Sequence, residues 1–249
     1  FDIVIVSTTA VKRDELLKIL FSDLISAFWI LEKPICQTKP ELERILSLAP
    51  ASGIWVNYPR RLYHWFRKIK THIPDDSILD VTVQGNDLGL ACNGSHYIDL
   101  VNWWTNEIPV SVDTGNLYKE WVVAKRPTFY EVKGAIEIYF NKGSRLAMIS
   151  DSAIEKEELN VSNRDLEWNV SINESIGKAR FSYGTNIYGS NSFQSDLTGV
   201  LFDDLILTGS CELPTLAIAA QCYEMFLIAL NSHWQNSPQR VLFPSAYFT

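Results

Sequence analysis

Lys33, His96 and Asp99 are the side chains in this sequence whose types and surroundings could move a proton and hold a forming charge. Lys33 stands in Leu31-Glu32-Lys33-Pro34-Ile35-Cys36, after an apolar run, Leu24 to Ile30, that has the content of a buried parallel strand. Thr38-Lys39-Pro40-Glu41 then reads as a helix start, with Thr38 as N-cap and Glu41 completing a capping box. A charged pair and a proline therefore sit at the carboxyl end of a buried strand, where ligands bind in open α/β sheets. The plain alternative is a strand exit with a solvated Glu32 and Lys33. His96 and Asp99 fall in Gly94-Ser95-His96-Tyr97-Ile98-Asp99-Leu100, at i and i+3 on a helix. Histidine titrates near neutrality and is suited to general-base work. A fixed lysine can stabilise negative charge that develops on oxygen. A lone histidine on a helix also serves often as a purely structural residue.

The elements that must position these groups follow from patterning. Ile3 to Val6 is a short apolar strand, Val11 to Leu20 an amphipathic helix, 24–31 a strand, 40–49 a helix and 54–58 a strand. This β-α-β-α-β order predicts a parallel sheet with right-handed crossovers. A helix is expected over 60–73, a strand over 78–84 and a helix over 94–104. Strands 130–140 and 144–150 flank the turn Asn141-Lys142-Gly143, and 166–172 and 178–183 flank a turn near Gly177. After Pro214, Leu216, Ala219, Ala220, Tyr223, Phe226, Leu227 and Leu230 repeat at helical spacing and read as core. The fold class expected is α/β plus α+β. Residues 1–58 form part of a parallel, Rossmann-type sheet, and 59–249 a second domain with an open, mainly antiparallel sheet.

With 249 residues, 47% hydrophobic and 20% charged, the chain can bury a sizeable core. A net charge of −7 and the lack of a basic stripe argue against nucleic acid as a partner. The four cysteines, Cys36, Cys92, Cys211 and Cys222, form no C-x-x-C pair, and no zinc-type spacing occurs, so no metal is expected. Scattered thiols fit the cytoplasm. Sequons at Asn160, Asn169 and Asn173 stand without a signal peptide, and no apolar run reaches membrane length. The chain opens on Phe1 and runs straight into a strand, which reads as a piece cut inside a domain.

Three patches, Leu31 to Cys36, Trp55-Val56-Asn57-Tyr58-Pro59-Arg60-Arg61 and Gly94 to Leu100, resemble in order and spacing the Gfo/Idh/MocA family of NAD(P)-dependent oxidoreductases. The resemblance implies that the first three strands seen here are the fourth, fifth and sixth of a Rossmann sheet. The strands carrying the phosphate-binding turn would precede Phe1, which at about 30 residues per βαβ unit is roughly sixty residues or more. No G-x-G-x-x-G occurs in the sequence. The implied activity is hydride transfer between NAD or NADP and a sugar hydroxyl or carbonyl carbon, here in an incomplete, bacterial chain.

Lys33 and His96 would be the charge-stabilising group and the base. Asp99 would orient His96 or touch a substrate hydroxyl, or else be a solvated helix carboxylate. Glu32, Lys33 and Pro34 would border the nicotinamide ribose, with a cis Lys33–Pro34 bond. Ser7, Thr8 and Thr9 would lie along the dinucleotide, or simply cap the next helix. Arg60 and Arg61 suit a substrate carboxylate or phosphate, or are surface charge at a helix start.

The family's motif carries an Asp four residues before the His, and here that position is Cys92, followed by Asn93. Asn93 would then supply a hydrogen bond, or Lys33 and His96 act alone. The C-N-x-x-H form resembles a subgroup tied to bacterial surface sugars, which tilts the substrate toward a nucleotide-linked or acidic sugar. A homo-oligomer built through the second domain's sheet is also expected. The other function class open is a non-catalytic remnant acting as a binding or assembly module. By itself the chain is expected not to bind a dinucleotide, and to aggregate or dimerise through the bare edge of Asp2 to Val6.

Overall fold

The computed structural model describes residues 1–50, 53–242 and 247–248. Three strands, β1 (Ile3–Val6), β2 (Phe28–Glu32) and β3 (Gly53–Asn57), pair in parallel in the order β1-β2-β3. The crossovers are α1 (Arg13–Asp23) and α2 (Lys39–Leu48). Thr38 and Glu41 form the reciprocal capping box that the sequence predicts for α2. The strand expected from residue 24 begins only at Phe28. Ile25 is 92% exposed, so apolar type alone did not place it in the sheet.

Side-chain alternation decides what each face of this sheet packs on. Trp29, Leu31, Ile54 and Val56 point into a core shared with Leu17 of α1, Ile45 of α2 and the long helix α6 (Leu216–Gln235). Ile30 and Trp55 point the other way, onto Leu197, Leu201 and Leu205 of α5 (Gln194–Thr208).

Beyond β3 the chain makes a 3-10 turn at Pro59–Arg61 and α3 (His64–Lys70), which divide the single helix expected there. Then come β4 (Leu79–Gly85), α4 (Leu90–Thr105), β5 (Pro109–Val123), β6 (Phe129–Phe140) and β7 (Arg145–Ser150). The chain continues through β8 (Glu158–Asn163), β9 (Trp168–Asn173), β10 (Lys178–Phe181) and β11 (Asn186–Tyr188). It closes with α5, α6, α7 (Pro238–Leu242) and β12 (Tyr247–Phe248).

These strands form a nine-stranded sheet in the order β11-β10-β9-β8-β4-β7-β6-β12, with β5 also on β6. It is mixed and mainly antiparallel: β4–β7 and β6–β12 are parallel, and the other pairs antiparallel.

One face of this sheet buries Val81, Val83, Leu146, Met148, Ile136 and Ile138 under α4, with Val161 and Ile172 in the same buried cluster, while α6 packs on β5 and on β3. The same buried cluster runs on into the small sheet, from Val6 to Trp234. Gly94 makes the close approach possible. A Cβ there would lie 2.5 Å from the Phe226 ring and 3.2 Å from Met148 Cε, so only glycine lets α4 sit this near α6 and the sheet.

Candidate functional site

Lys33 leaves β2 at its carboxyl end and its bond to Pro34 is cis. The turn is fixed from beneath by Arg13, whose side chain is fully buried. The Arg13 guanidinium donates to the backbone oxygens of Thr8, Glu32 and Pro34, and to that of Ile35 at 3.3 Å. It thereby ties the end of β1 to the end of β2. Burial draws its pKa down to about 10, against the pull of the Glu32 carboxylate. Sequence patterning gave Arg13 no role, since its partners are backbone oxygens that leave no trace in residue types.

The Lys33 ammonium reaches across to the first turns of α4. It donates to Asn93 Oδ1 at 3.0 Å and to the Cys92 carbonyl at 3.2 Å. Asn93 is itself held, its amide donating to the Leu88 carbonyl at 2.8 Å. Asn93 is thus a partner of Lys33, one residue past Cys92, the position where the resemblance led to a carboxylate. The start of α4 has no side-chain cap from its own segment. Glu131 of β6 supplies one instead, its carboxylate accepting from Cys92 N at 2.7 Å and Ala91 N at 3.2 Å. A carboxylate at these orphan N–H groups also complements the helix dipole. Glu131 comes from a distant strand and was not foreseen.

His96 lies one turn further along α4, half-buried, with its ring edge-on to Tyr58 at 5.4 Å between centroids. Its Nδ1 is buried and has no hydrogen-bond partner among the described residues. Burial holds its pKa well below the ordinary 6.5, and the positive charges of Lys33 and Arg60 push the same way. The imidazole is therefore neutral at neutral pH, the state a proton acceptor needs.

Arg61 and Asp99 depart from the roles the sequence suggested. Both are buried, and each holds the other: Arg61 Nη2 meets Asp99 Oδ1 at 2.7 Å and Nε meets Oδ2 at 2.9 Å. Arg61 Nη2 also donates to Asn102 Oδ1 at 3.0 Å. Asp99 therefore faces Arg61 rather than orienting His96, and Arg61 is not presented to a substrate anion. The physical reason is that a charge taken out of water needs an opposite charge beside it. Burial still raises the Asp99 pKa, partly offset by Arg61.

Arg60 is engaged as well. Its Nε donates to both Glu174 carboxylate oxygens at 3.1 Å, its Nη2 to one at 2.9 Å, and its plane lies 4.6 Å over the Tyr97 ring. Glu174 borders a cleft of about 260 Å3, together with Glu157, Leu159, Ile172, Ser175 and Asn191. Tyr97 donates its hydroxyl to Glu157 at 3.2 Å. Arg60 and Tyr97 thus join the His96 helix to this cleft. No periodicity or motif pointed to Glu157 and Glu174.

On the small-sheet side, Ser7, Thr8 and Thr9 form an exposed turn after β1. Glu32 is half-buried and accepts a hydrogen bond from the Asn57 amide, and Pro34 is half-buried beside it. Among the described residues, no group of His, Cys, Asp and Glu could hold a metal ion. Nor is any described helix long and apolar enough to cross a membrane.

No family model matches the sequence, and no curated protein matches it. Solved structures do. UDP-N-acetylglucosamine 3-dehydrogenase GnnA from Acidithiobacillus ferrooxidans superposes with a TM-score of 0.67 at 12% identity, over 93% of this chain and 77% of that one. An oxidoreductase from Agrobacterium radiobacter in complex with NAD+, L-tartaric acid and magnesium gives 0.67 at 11%, over 94% and 78%. The super-repressor mutant of Gal80p from Saccharomyces cerevisiae gives 0.66 at 11%, over 95% and 80%. The fold is the one these proteins share. At such identities the likeness is one of fold, and it spans two enzymes and a repressor.

Proposed function

We propose that this chain carries the reactive half of an oxidoreductase that moves a hydride between NAD(P) and a sugar hydroxyl or carbonyl carbon. The observation that carries this reading is the Lys33–Asn93 contact. It joins the strand end of the small sheet to the first turns of α4, one turn from the neutral His96. When bound, the nicotinamide supplies a carbon that accepts or gives the hydride.

The residues present fit that group in part. Ser7, Thr8, Thr9, Glu32, Lys33 and Pro34 lie at adjacent strand ends, where the ribose and nicotinamide side would rest. A pyrophosphate needs backbone N–H groups at a glycine-rich helix start, and these 249 residues contain no such turn. In this reading the pyrophosphate is held by residues other than these.

The chain's own chemistry follows from the geometry. His96 takes the proton of the reacting hydroxyl. Lys33, held by Asn93 and the Cys92 carbonyl, faces the oxygen on which negative charge develops. Arg13 fixes the turn from which Lys33 projects, and Glu131 fixes the start of α4.

The test is an NADH- or NADPH-linked turnover assay over a sugar panel, with the cofactor at millimolar concentration because in this reading these residues do not themselves grip the pyrophosphate. The expected result is turnover that falls on the order of 10²–10³ in kcat in Lys33→Ala, because that group is needed where charge forms during the reaction. An unchanged kcat in Lys33→Ala would remove Lys33 from the mechanism. Turnover with no sugar would remove the activity.

A further inference from the structure

The cleft beside Tyr97 holds a charge pattern opposite to the one the arginine pair in the sequence suggests. Its lining, Glu157, Leu159, Ile172, Glu174, Ser175 and Asn191, contains no cation. The nearest guanidinium, Arg60, already has Nε and Nη2 on Glu174 and its face on Tyr97. Arg61 is buried in its pair with Asp99. Lys33 is directed to Asn93 and the Cys92 carbonyl. An anion entering the cleft would therefore meet the exposed Glu157 and the paired Glu174 with no cation among the described lining residues.

The rest of the lining suits a sugar ring. Leu159 and Ile172 give an apolar floor for its C–H face. Ser175 and Asn191 supply short polar groups, the Ser175 hydroxyl also donating to Asn173 Oδ1 at 2.6 Å and the Asn191 amide to the Glu174 carbonyl at 3.5 Å. Tyr97 donates to one oxygen of Glu157, so the other oxygen remains to accept from a hydroxyl or an ammonium. The volume, about 260 Å3, is below the ~300–1,000 Å3 of sites for drug-sized molecules, so one ring enters and any larger attached group stays outside.

We infer that this cleft takes a single sugar ring that is uncharged or carries an amine, and turns away a ring carrying a carboxylate or phosphate. The inference rests on the sugar reading above and narrows it. It displaces the acidic sugar that Arg60 and Arg61 suggested in sequence. Selectivity of this kind works by repulsion of the wrong ligand as much as by attraction of the right one.

The test measures binding of glucose, glucosamine and glucuronate to the chain by saturation-transfer NMR, without cofactor and so apart from turnover. Glucose and glucosamine should bind, and glucuronate should bind at least about fivefold more weakly, the scale of one partly exposed charge contact. Glu157→Gln should erase any advantage of glucosamine over glucose. Glu174→Gln should free Arg60 and raise glucuronate binding, with a circular-dichroism melt to show that the variant is folded. Should that variant unfold, the wild-type panel and Glu157→Gln still decide. Glucuronate bound by the wild type as tightly as glucose would overturn the charge preference and leave the sugar reading standing. Binding of none of the three would overturn both.

Discussion

His96 is where burial and charge act on a single functional group. Its pKa is lowered by burial first, then by Lys33 and Arg60. A depressed pKa in the folded state means that the unfolded chain binds the proton more readily. His96 therefore contributes stability that is full above its ordinary 6.5 and is lost as pH falls below that value toward the folded pKa. We expect the His96 ring proton to titrate by NMR with a midpoint below 6.5 in the wild type. Lys33→Met should move that midpoint upward, because one of the two neighbouring positive charges is gone. A wild-type midpoint at or above 6.5 would contradict the burial of His96, and no movement in Lys33→Met would take the Lys33 charge out of its surroundings.

Lys33 and His96 were legible in sequence because each stands in a local pattern, a strand exit and a Gly-x-His helix. Arg13, Tyr97, Glu131, Glu157 and Glu174 were not. Their partners are backbone atoms or side chains far along the chain, and pairing of that kind appears only when the chain folds.

At the scale of elements, the 3-10 turn and α4 are tied together by Arg61, Asp99 and Asn102. The tie locks the turn that leads out of β3 onto the helix that bears His96. Breaking one partner of a buried pair leaves the other charge uncompensated, which costs about 3–5 kcal/mol. Asp99→Ala should lose stability on that scale in urea unfolding, and Asp99→Asn less, because an amide oxygen still accepts from the guanidinium. A loss in Asp99→Ala under about 1 kcal/mol would mean that water replaces the pair, as at exposed sites.

Which elements were readable follows the same division between local and distant causes. β1, β2, β3, β6, β7 and α6 carry their own periodicity. β5 did not read as a strand because Asp113-Thr114-Gly115-Asn116 has turn chemistry, which the sheet absorbs as register shifts between Asp113 and Asn116 and at two other points. β8 alternates apolar with Asn and Ser, and gains its place from antiparallel pairing on β4 and β9. α5 carries apolar Val200, Phe202, Ile206 and Leu207 on its exposed sides as well as Leu197, Leu201 and Leu205 on its buried one, and has Gly199 within it, so no face stood out until Ile30 and Trp55 supplied the surface it covers.

At the scale of the whole molecule, the order of parallel then mainly antiparallel strands was visible in sequence, while the core that runs unbroken across both sheets was not. That core holds β2, with Lys33 at its end, and α4, with His96, in one body, and in the function proposed above a dinucleotide would rest on the β1–α1 turn. This turn is poorly equipped for a phosphate. Lys12, at the start of α1, adopts a left-handed conformation (φ 53°) and gives no side-chain cap. The one buried cation there, Arg13, is turned inward onto the carbonyls of Thr8, Glu32, Pro34 and Ile35. Ser7, Thr8 and Thr9 offer hydroxyls but no glycine-rich run of N–H groups. Micromolar binding requires about 8 kcal/mol, and most of what a dinucleotide site offers is its grip on the pyrophosphate. Calorimetric titration of the 249-residue chain with NADH and with NADPH should therefore give no saturable heat at micromolar concentration. A clear isotherm would show that α1 or another helix start grips the pyrophosphate after all, and that these residues carry the whole cofactor site rather than its reactive half.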